Sequence, residues 1–270
     1  MSPRLFFQIV SLEARTKFSY RVDFWVNAVL SFGVELMVAF YLWTAIFEAS
    51  GSTSIGGRDI QQTILYYVTV LLVGRFAGGR DFEGTVQSDI YEGGLNRYLV
   101  LPFAYRPYKY AQSLGKLVPV VVQVILFGAI AIPLLGLASQ VHLTFASVAM
   151  TLAAMLVANL LFFLMQFPLQ VTAFWADNVW SLLVAQRLLG QIFGGLMLPL
   201  SVFPGWGQRL LEVLPWRFFF DFPARVLLGE IGVREWGLGM LLAIGWCGVF
   251  AAIGQAIWKR GLHQYTGIGI

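Results

Sequence analysis

One stretch of the chain restricts its fold more than any other. Between Lys116 and Asp177 the sequence contains no Asp, Glu, Lys or Arg. A helix that crosses the hydrocarbon core of a bilayer needs about 20 mostly apolar residues. This run therefore has room for two crossings and a tight turn, which we predict near 117–137 and 144–166 with the turn at 138–142. A chain with such a run is predicted to lie in a membrane.

The composition leads to the same conclusion. Apolar residues make up 58% of the chain and charged residues only 12%, whereas soluble domains carry about 25% charged residues. A soluble domain of this size could not hide so much apolar surface, so a soluble enzyme and a nucleic-acid-binding module are both excluded. The formal charge of +4 fits the basic loops of a membrane protein. The single cysteine, Cys247, is predicted to be a packing residue.

Four further apolar segments bring the predicted number of spans to six. They lie near 24–47, near 60–79, from just after Arg187 to the 199–204 region, and over 236–258. Backbone that crosses lipid is helical or belongs to a closed barrel, and these segments are too long and too continuously apolar for barrel strands. The predicted fold class is all-α, a polytopic membrane protein with one transmembrane domain over 1–270.

The basic residues predict the orientation of the spans. With the N-terminus inside, 13 of the 18 Lys and Arg residues are cytoplasmic and five are outside. This excess predicts that both termini are cytoplasmic. No cleavable signal peptide is expected, because the first apolar stretch is interrupted by Glu13, Arg15 and Lys17 and no Ala-x-Ala-like site follows.

The N-terminal residues, 1–22, have the pattern of a helix that lies on the inner membrane surface. Leu5, Ile9 and Leu12 fall on one helical face, and Gln8 and Arg15 fall on the other. This arrangement is typical of an interfacial amphipathic helix. An ordinary polar extension is the alternative.

The segment 80–116 is the largest predicted cytoplasmic part. Acidic and basic residues alternate with apolar ones, and Gly93 and Gly94 interrupt the run. The pattern predicts a short helix, a glycine turn and a second short helix that stops at Pro102. Such a segment suits a docking surface, although the pattern taken alone favours a solvated connector.

The segment 200–235 is predicted to lie at the outer interface or to dip into it. It contains two short amphipathic helices, each opened or closed by proline, with an aromatic run between them. These helices are too short and too charged to span a bilayer, and too apolar to sit in water. Trp206 and Trp216 are expected at the level of the headgroups.

No catalytic or metal-binding constellation is present in the sequence. Gly115-Lys116 is followed by Leu117 and lacks the earlier glycine of a phosphate-binding loop. No His-Glu-x-x-His or Gly-x-Ser-x-Gly motif occurs, and His142 and His263 are predicted at opposite membrane faces. We therefore predict no catalytic residue and no metal site. Any transport by this protein is expected either to use energy that another protein supplies or to proceed down a concentration gradient.

Glu35 is the one ionisable residue well inside a confident predicted span. A charge at mid-membrane costs about 2.5–3.5 kcal/mol on insertion scales, which makes such a residue a functional candidate. It either lines a translocation path, together with Asn27 and Gln191, or makes a structural contact with another helix, and the structural interpretation is favoured. Uncharged polar residues such as Asn159 and Gln166 are typical helix–helix contacts.

The order of these parts resembles the permease subunit of type-two ABC exporters over essentially the whole chain. Residues 93–102, Gly-Gly-Leu-Asn-Arg-Tyr-Leu-Val-Leu-Pro, are similar to a Gly-x-Leu-(Asp/Asn)-x-x-Leu-x-x-Pro stretch of a bacterial branch of uncharacterised function. Residues 199–204, 214–217 and 221–229 are similar to the outer segment of the same branch. These motifs indicate a type of subunit and leave the substrate open.

The resemblance implies a mechanism and a set of partners. Two permeases, identical or related, form a dimeric translocation path in the bacterial inner membrane, and each binds a separate ABC ATPase subunit that holds ATP and Mg²⁺. No cofactor is expected on this chain itself. The helix near 86–98 is expected to be the coupling helix that docks on the ATPase. Its expected contact residues are Gln87, Asp89, Tyr91, Glu92, Asn96 and Arg97.

The resemblance also assigns expected roles to the spans and to the outer segment. Substrate is expected to pass between the protomers along the first, second and fifth spans. The segment 205–229 is expected to cap the outer mouth, with Trp206, Trp216 and Phe219 as gate residues.

Two other classes of function agree less well with the sequence. A secondary transporter or channel that acts without an ATPase would be favoured by inverted repeats, and the sequence shows no convincing internal repeat. An intramembrane enzyme would need catalytic pairs that are missing.

Overall fold

In a computed structural model, which describes residues 2–19, 21–77, 85–141 and 143–265, the chain is helical. The helices are α1 (Pro3–Ser19), α2 (Arg21–Ser50), α3 (Ile60–Ala77), α4 (Thr85–Tyr91), α5 (Asn96–Leu99), α6 (Tyr105–Leu134), α7 (Phe145–Val171), α8 (Trp180–Phe193), α9 (Gly205–Val213), α10 (Asp221–Leu227) and α11 (Val233–Leu262). Within the described ranges the β-structure is limited to one bridge between Ile55 and Arg58. The predicted all-α fold is confirmed.

Five helices in the described part of the chain are long and apolar enough to cross a membrane. They are Phe24–Ser50, Ile60–Ala77, Tyr105–Leu134, Phe145–Phe174 and Val233–Leu262. All five were expected from the sequence. A membrane protein is therefore supported by helix length as well as by composition.

The remaining predicted span differs from its prediction. Helix α8 begins at Trp180, so that Arg187 lies inside it and not before it. Its 14 residues extend about 21 Å at 1.5 Å per residue, which is less than the hydrocarbon thickness of about 30 Å. Helix length alone thus supports five crossings and leaves the sixth unconfirmed.

The boundary of the predicted cytoplasmic segment 80–116 also differs. Its last third, residues 105–116, belongs to the long helix α6, which begins at Tyr105. The charged side chains in that stretch are satisfied by tertiary contacts: Lys109 pairs with Asp89, and Arg106 donates to the Ala251 carbonyl at 2.9 Å. Residues 80–84 of the predicted segment, and His142 of the predicted turn, lie outside the described residues.

Helix α1 packs along the beginning of α6. Gln112 Nε2 donates to Glu13 Oε1 at 2.6 Å, and Ile9 is buried. Phe7 and Leu12 remain exposed. The helix therefore presents apolar side chains away from the bundle, and its placement on a membrane surface stays a prediction.

Helices α3 and α7 form the centre of the bundle, and α2 and α11 lie at its outside. Every residue of α3 from Thr63 to Val73 is buried, whereas Tyr41 of α2 is 70% exposed and Leu241 of α11 is 68% exposed. Apolar side chains on a lipid-facing helix need not be buried inside the protein, because lipid tails are as apolar as they are. The exposed apolar surface therefore agrees with a bundle that is surrounded by lipid or by another membrane subunit.

The bundle has two distinct ends. At the first, which we call the α5 end, Tyr91 of α4 contacts Ala176, and Trp258 of α11 stacks on Tyr105 with ring centroids 4.8 Å apart. Helix α1 lies at this end too, beside the first turns of α6. Both described ends of the chain are thus at the α5 end.

At the second end, which we call the α9 end, three connecting segments meet. Gln140, between α6 and α7, donates to Gln61 at 2.8 Å. Arg58, between α2 and α3, pairs with Glu230 between α10 and α11. The segment 200–232, which contains α9 and α10, therefore belongs to the end opposite α4 and α5.

The aromatic run 215–220 enters the bundle from the α9 end. Phe219 packs edge-on against Phe162 of α7, with ring centroids 5.5 Å apart. Phe220 lies against Gly74, where a β-carbon would come within 2.8 Å of the ring. Gly74 is about 21 Å along α3 from its first residue, so this segment reaches deep between the helices.

Candidate functional site

The α4–α5 region is organised around one buried carboxylate. Asp89 Oδ2 lies 2.5 Å from Lys109 Nζ and accepts a hydrogen bond from the Tyr105 hydroxyl at 2.6 Å. Its other oxygen, Oδ1, lies 3.1 Å from Arg97 Nη2. The Leu95 backbone N–H donates to the Asp89 carbonyl at 2.7 Å. Asp89 thereby ties α4, the turn, α5 and the start of α6 into one unit, which we call the Asp89 hub.

The Asp89 hub depends on burial as well as on charge. The side chains of Asp89 and Lys109 are 6% and 7% exposed. Removal of one partner from a buried ion pair costs about 3–5 kcal/mol, because the other charge is left uncompensated. The relative positions of α4, α5 and α6 are therefore strongly held.

Two hydrogen bonds and two apolar side chains fasten α4 to the bundle. The Val86 backbone N–H donates to Gln170 Oε1 at 2.8 Å, and the Tyr91 hydroxyl donates to the Ala176 carbonyl at 2.8 Å. Val86 and Ile90 are fully buried, and burial raises the pKa of Tyr91. A force applied to α4 or α5 would thus be transmitted directly to the end of α7.

A tip of exposed side chains projects beyond the Asp89 hub. Gly93, with φ of +69°, makes the turn that returns the chain towards α5, a conformation that glycine adopts without steric penalty. From the last residue of α5 onward, Leu99, Val100 and Leu101 are all exposed, and Val100 is 82% exposed. We call residues 99–101 the apolar tip. Exposed apolar side chains that lie side by side mark a surface for contact with another protein or with a membrane.

The structure divides the six predicted coupling residues into two groups. Glu92, Asn96 and Arg97 are exposed beside the apolar tip. Asp89 is buried within the hub, and Gln87 and Tyr91 are half-buried. The first group is exposed, and Arg97 within it also pairs with Asp89. Asp89 itself is buried inside the chain and can affect the surface only by positioning its neighbours.

Two side chains and one surface of this region were not predicted from the sequence. Nothing in the local pattern links Tyr105 and Lys109 to Asp89, which lies 16 and 20 residues earlier. The apolar tip could have been found, since Leu99, Val100 and Leu101 are consecutive apolar residues before Pro102 in an otherwise polar segment.

The candidate path residues have different surroundings. Glu35 Oε2 lies 4.0 Å from Arg75 Nη2 of α3, which also donates to the Ser31 hydroxyl at 2.8 Å. Asn27 lies on an exposed part of α2, and Gln191 is half-buried in α8. The contact between α2 and α3 agrees with the structural interpretation of Glu35, and the path assignment of all three residues stays a prediction.

The three candidate gate residues are also placed differently from one another. Trp206 of α9 is 73% exposed, and Trp216 packs against Phe193 with ring centroids 5.8 Å apart. Phe219 belongs to the buried core. Only Trp206 therefore has the exposure that headgroup contact would need, and the gate function of the set is a prediction.

Over the part of the chain that the structure describes, no three His, Cys, Asp or Glu side chains come together as a potential metal site.

Comparison with known proteins gives one family. The sequence pattern described as ABC-2 family transporter protein matches residues 34–269. Neither the curated proteins nor the solved structures gave a match.

Proposed function

Because the chain belongs to the ABC-2 family of transporter proteins, it is the membrane permease of an ABC transporter, and we propose that it works in an ATP-driven exporter. ATP and Mg²⁺ would be bound by a separate ABC ATPase subunit at the α5 end. A second permease, identical or related, would complete the translocation path. The proposed location is the bacterial inner membrane, with both termini in the cytoplasm.

The observation that carries the proposal is the combination of the exposed apolar tip with the Asp89 hub behind it. The tip offers Val100 and its neighbours to a partner, flanked by the opposite charges of Glu92 and Arg97. The Asp89 hub and the contacts of α4 join this surface to α6 and α7. Movement of a docked ATPase would therefore be transmitted to α6 and α7 through these direct contacts.

A topology of six crossings is part of the proposal. Residues 172–179 lie at the α5 end, where Ala176 contacts Tyr91, and residues 200–230 lie at the α9 end, where Glu230 contacts Arg58. The intervening chain, α8 and the turns after it, has to pass from one end to the other. In this arrangement the run 215–220 is a re-entrant segment that enters from outside and returns there.

The exposed apolar faces support a second permease. Helix α2 exposes Val34, Val38 and Tyr41, and α11 exposes Leu238 and Leu241. We propose that part of this surface is covered by the partner permease and the rest by lipid.

The experiment that tests docking uses the tagged full chain, expressed in cells, with mass spectrometry of the proteins that co-elute. Val100→Asp places a charge in the apolar tip and is expected to reduce the recovery of the ATPase at least tenfold. Val233→Asp is the matched control. It makes the same change at a 71% exposed position at the opposite end, where the first turn of α11 favours an acidic residue.

Recovery of the ATPase with Val100→Asp at the level of the unmodified chain would remove the coupling role from the tip. A second measurement tests the energy source. Energised transport in proteoliposomes that contain the permease without any ATPase would contradict the exporter proposal and favour a secondary transporter.

A further inference from the structure

A cavity of about 520 Å³ lies at the α9 end of the bundle. Its polar lining includes three arginines, Arg58, Arg217 and Arg225, together with the three carboxylates of Glu212, Asp221 and Glu230, and its apolar lining includes Leu200 and Leu228. The cavity is thus amphipathic, and it sits where the first residues of α3 meet the segment 200–230. In the proposed topology this is the level of the outer headgroups.

Two of the three arginines have carboxylate partners. Glu230 Oε2 lies 2.6 Å from Arg58 Nη2 and 3.1 Å from Arg225 Nε. Asp221 Oδ2 lies 3.8 Å from Arg225 Nη1, and Asp221 Oδ1 accepts a hydrogen bond from the Tyr66 hydroxyl at 2.9 Å. The charges of Arg58 and Arg225 are therefore balanced inside the protein.

Arg217 is different from the other two. Its Nη1 donates to the backbone carbonyl of Glu212 at 3.0 Å, and its guanidinium lies 5.5 Å from the centre of the Phe222 ring. Its Nε is buried without a hydrogen-bond partner. Among the described residues no carboxylate lies within ion-pair distance of its guanidinium, and the charges of Asp221 and Glu212, which also line the cavity, attract it from further away.

Arg217 is half-buried, and its buried Nε–H group without a hydrogen-bond partner is energetically unfavourable. Arginine binds phosphate particularly well, because its planar fork of N–H groups matches two phosphate oxygens. The leucines of the same lining offer contact to a hydrocarbon chain. The cavity therefore combines the two properties that an anionic amphiphile requires.

We propose that this cavity binds the phosphate group of an amphiphile, with Arg217 as its principal contact. The phosphate would belong either to the headgroup of a lipid in the outer leaflet or to a free phosphate-bearing compound. The inference goes beyond the proposed exporter function, because it requires neither the ATPase nor a second permease.

The test uses the purified full chain in a maltoside detergent, which contains no phosphate. Dihexanoyl phosphatidylglycerol is titrated as the lipid probe and glycerol 3-phosphate as the free probe, and binding is followed by tryptophan fluorescence. Arg217→Gln is expected to weaken phosphatidylglycerol binding at least fivefold. Arg209→Gln is the matched control, because Arg209 is an exposed arginine of the same segment that does not line the cavity.

The two probes distinguish the sources of the phosphate. Tighter binding of phosphatidylglycerol than of glycerol 3-phosphate indicates a lipid headgroup, and equal binding indicates a free phosphate compound. Arg217→Lys, which keeps the charge but lacks the planar fork, is expected to bind with intermediate affinity, and it replaces Arg217→Gln if that variant does not fold. Unchanged binding in the Arg217 variant, or equal binding of uncharged dihexanoylglycerol, would overturn the proposal.

Discussion

Arg58 and Glu230 are 172 residues apart in the chain, and their side chains form an ion pair with Nη2 and Oε2 separated by 2.6 Å. The pair joins the connection between α2 and α3 to the connection between α10 and α11. Arg58 also donates to the Ser201 hydroxyl at 3.3 Å and lies over the Tyr66 ring. One ion pair thus holds together three segments of the α9 end.

Glu230→Gln should reduce the thermal stability of the protein. The substitution removes the negative charge that Arg58 and Arg225 share, and hydrogen bonds to charged groups contribute about 1.5–3 kcal/mol each. Thermal unfolding in detergent, followed by tryptophan fluorescence, should show a lower midpoint. Glu48→Gln, at an exposed position near the end of α2, is the control and should leave the midpoint unchanged. Equal midpoints for all three proteins would mean that the pair does not hold this end together.

Asp89→Asn should be more damaging, because it leaves Lys109 buried without a counter-charge. We expect a loss of about 3–5 kcal/mol in the free energy of unfolding, measured by denaturant titration in detergent. Replacement of both partners, as in Asp89→Asn with Lys109→Met, should recover much of that loss, since no buried charge then remains. Glu92→Gln, an exposed acid one turn away, is the control.

A double variant no more stable than Asp89→Asn would show that the Asp89 hub owes its stability to something other than the Asp89–Lys109 pair. Loss of the ATPase from Asp89→Asn, with Glu48→Gln at an exposed position of α2 unaffected, would agree with a positioning role for Asp89 in docking.

Gly74→Ala should destabilise the contact between α3 and the aromatic run. The added β-carbon would come within 2.8 Å of the Phe220 ring, and overpacking of this kind costs about 1–3 kcal/mol. Phe220→Leu in the same chain should relieve part of the clash. Gly33→Ala in α2 is the control, because no atom lies within 4 Å of the corresponding β-carbon, and it should be neutral or slightly stabilising. The measurement is the thermal unfolding midpoint of the unmodified protein, the two single variants and the double variant. A midpoint of Gly74→Ala equal to that of the unmodified protein would contradict the close packing.

The long membrane helices could be predicted because lipid removes the need for a polar face. A run such as 144–166 is recognisable from its length and lack of charge alone, and the structure places a helix there over Phe145–Val171. The start of α6 could not be predicted in the same way. Arg106 and Lys109 resemble loop residues in the sequence, and only their contacts with Ala251 and Asp89 make a helix stable there.

The position of the candidate site along the chain could be predicted, but the side chains that form its exposed surface could not. The glycine at position 93 and the proline at 102 indicated a turn and a helix stop, and both agree with the fold. Which side chains face outward depends on pairing with residues far along the chain. Asp89 and Glu92 look alike in the sequence, yet Asp89 is buried by Lys109 and Tyr105, whereas Glu92 is exposed.

The stability of the protein should depend on pH through Asp221. Burial raises the pKa of Asp221, although the nearby positive charges of Arg225 and Arg217 act in the opposite direction. A raised pKa means that the folded protein holds this proton more tightly than the unfolded chain does. The stabilising contribution is therefore complete below the ordinary pKa of aspartate, about 3.9, and is lost as the pH rises through the raised value.

Asp221→Asn cannot titrate, and its amide oxygen can still accept the hydrogen bond from the Tyr66 hydroxyl. As the pH is raised from about 4, the unfolding midpoint of the unmodified protein should therefore fall relative to that of Asp221→Asn. Asp59→Asn is the control, because Asp59 is exposed and its variant should follow the unmodified protein at every pH. If the curves for the unmodified protein and Asp221→Asn run parallel, the Asp221 carboxylate does not set this pH dependence. The electrostatic attraction between Asp221 and Arg225 is then stronger than their 3.8 Å separation suggests.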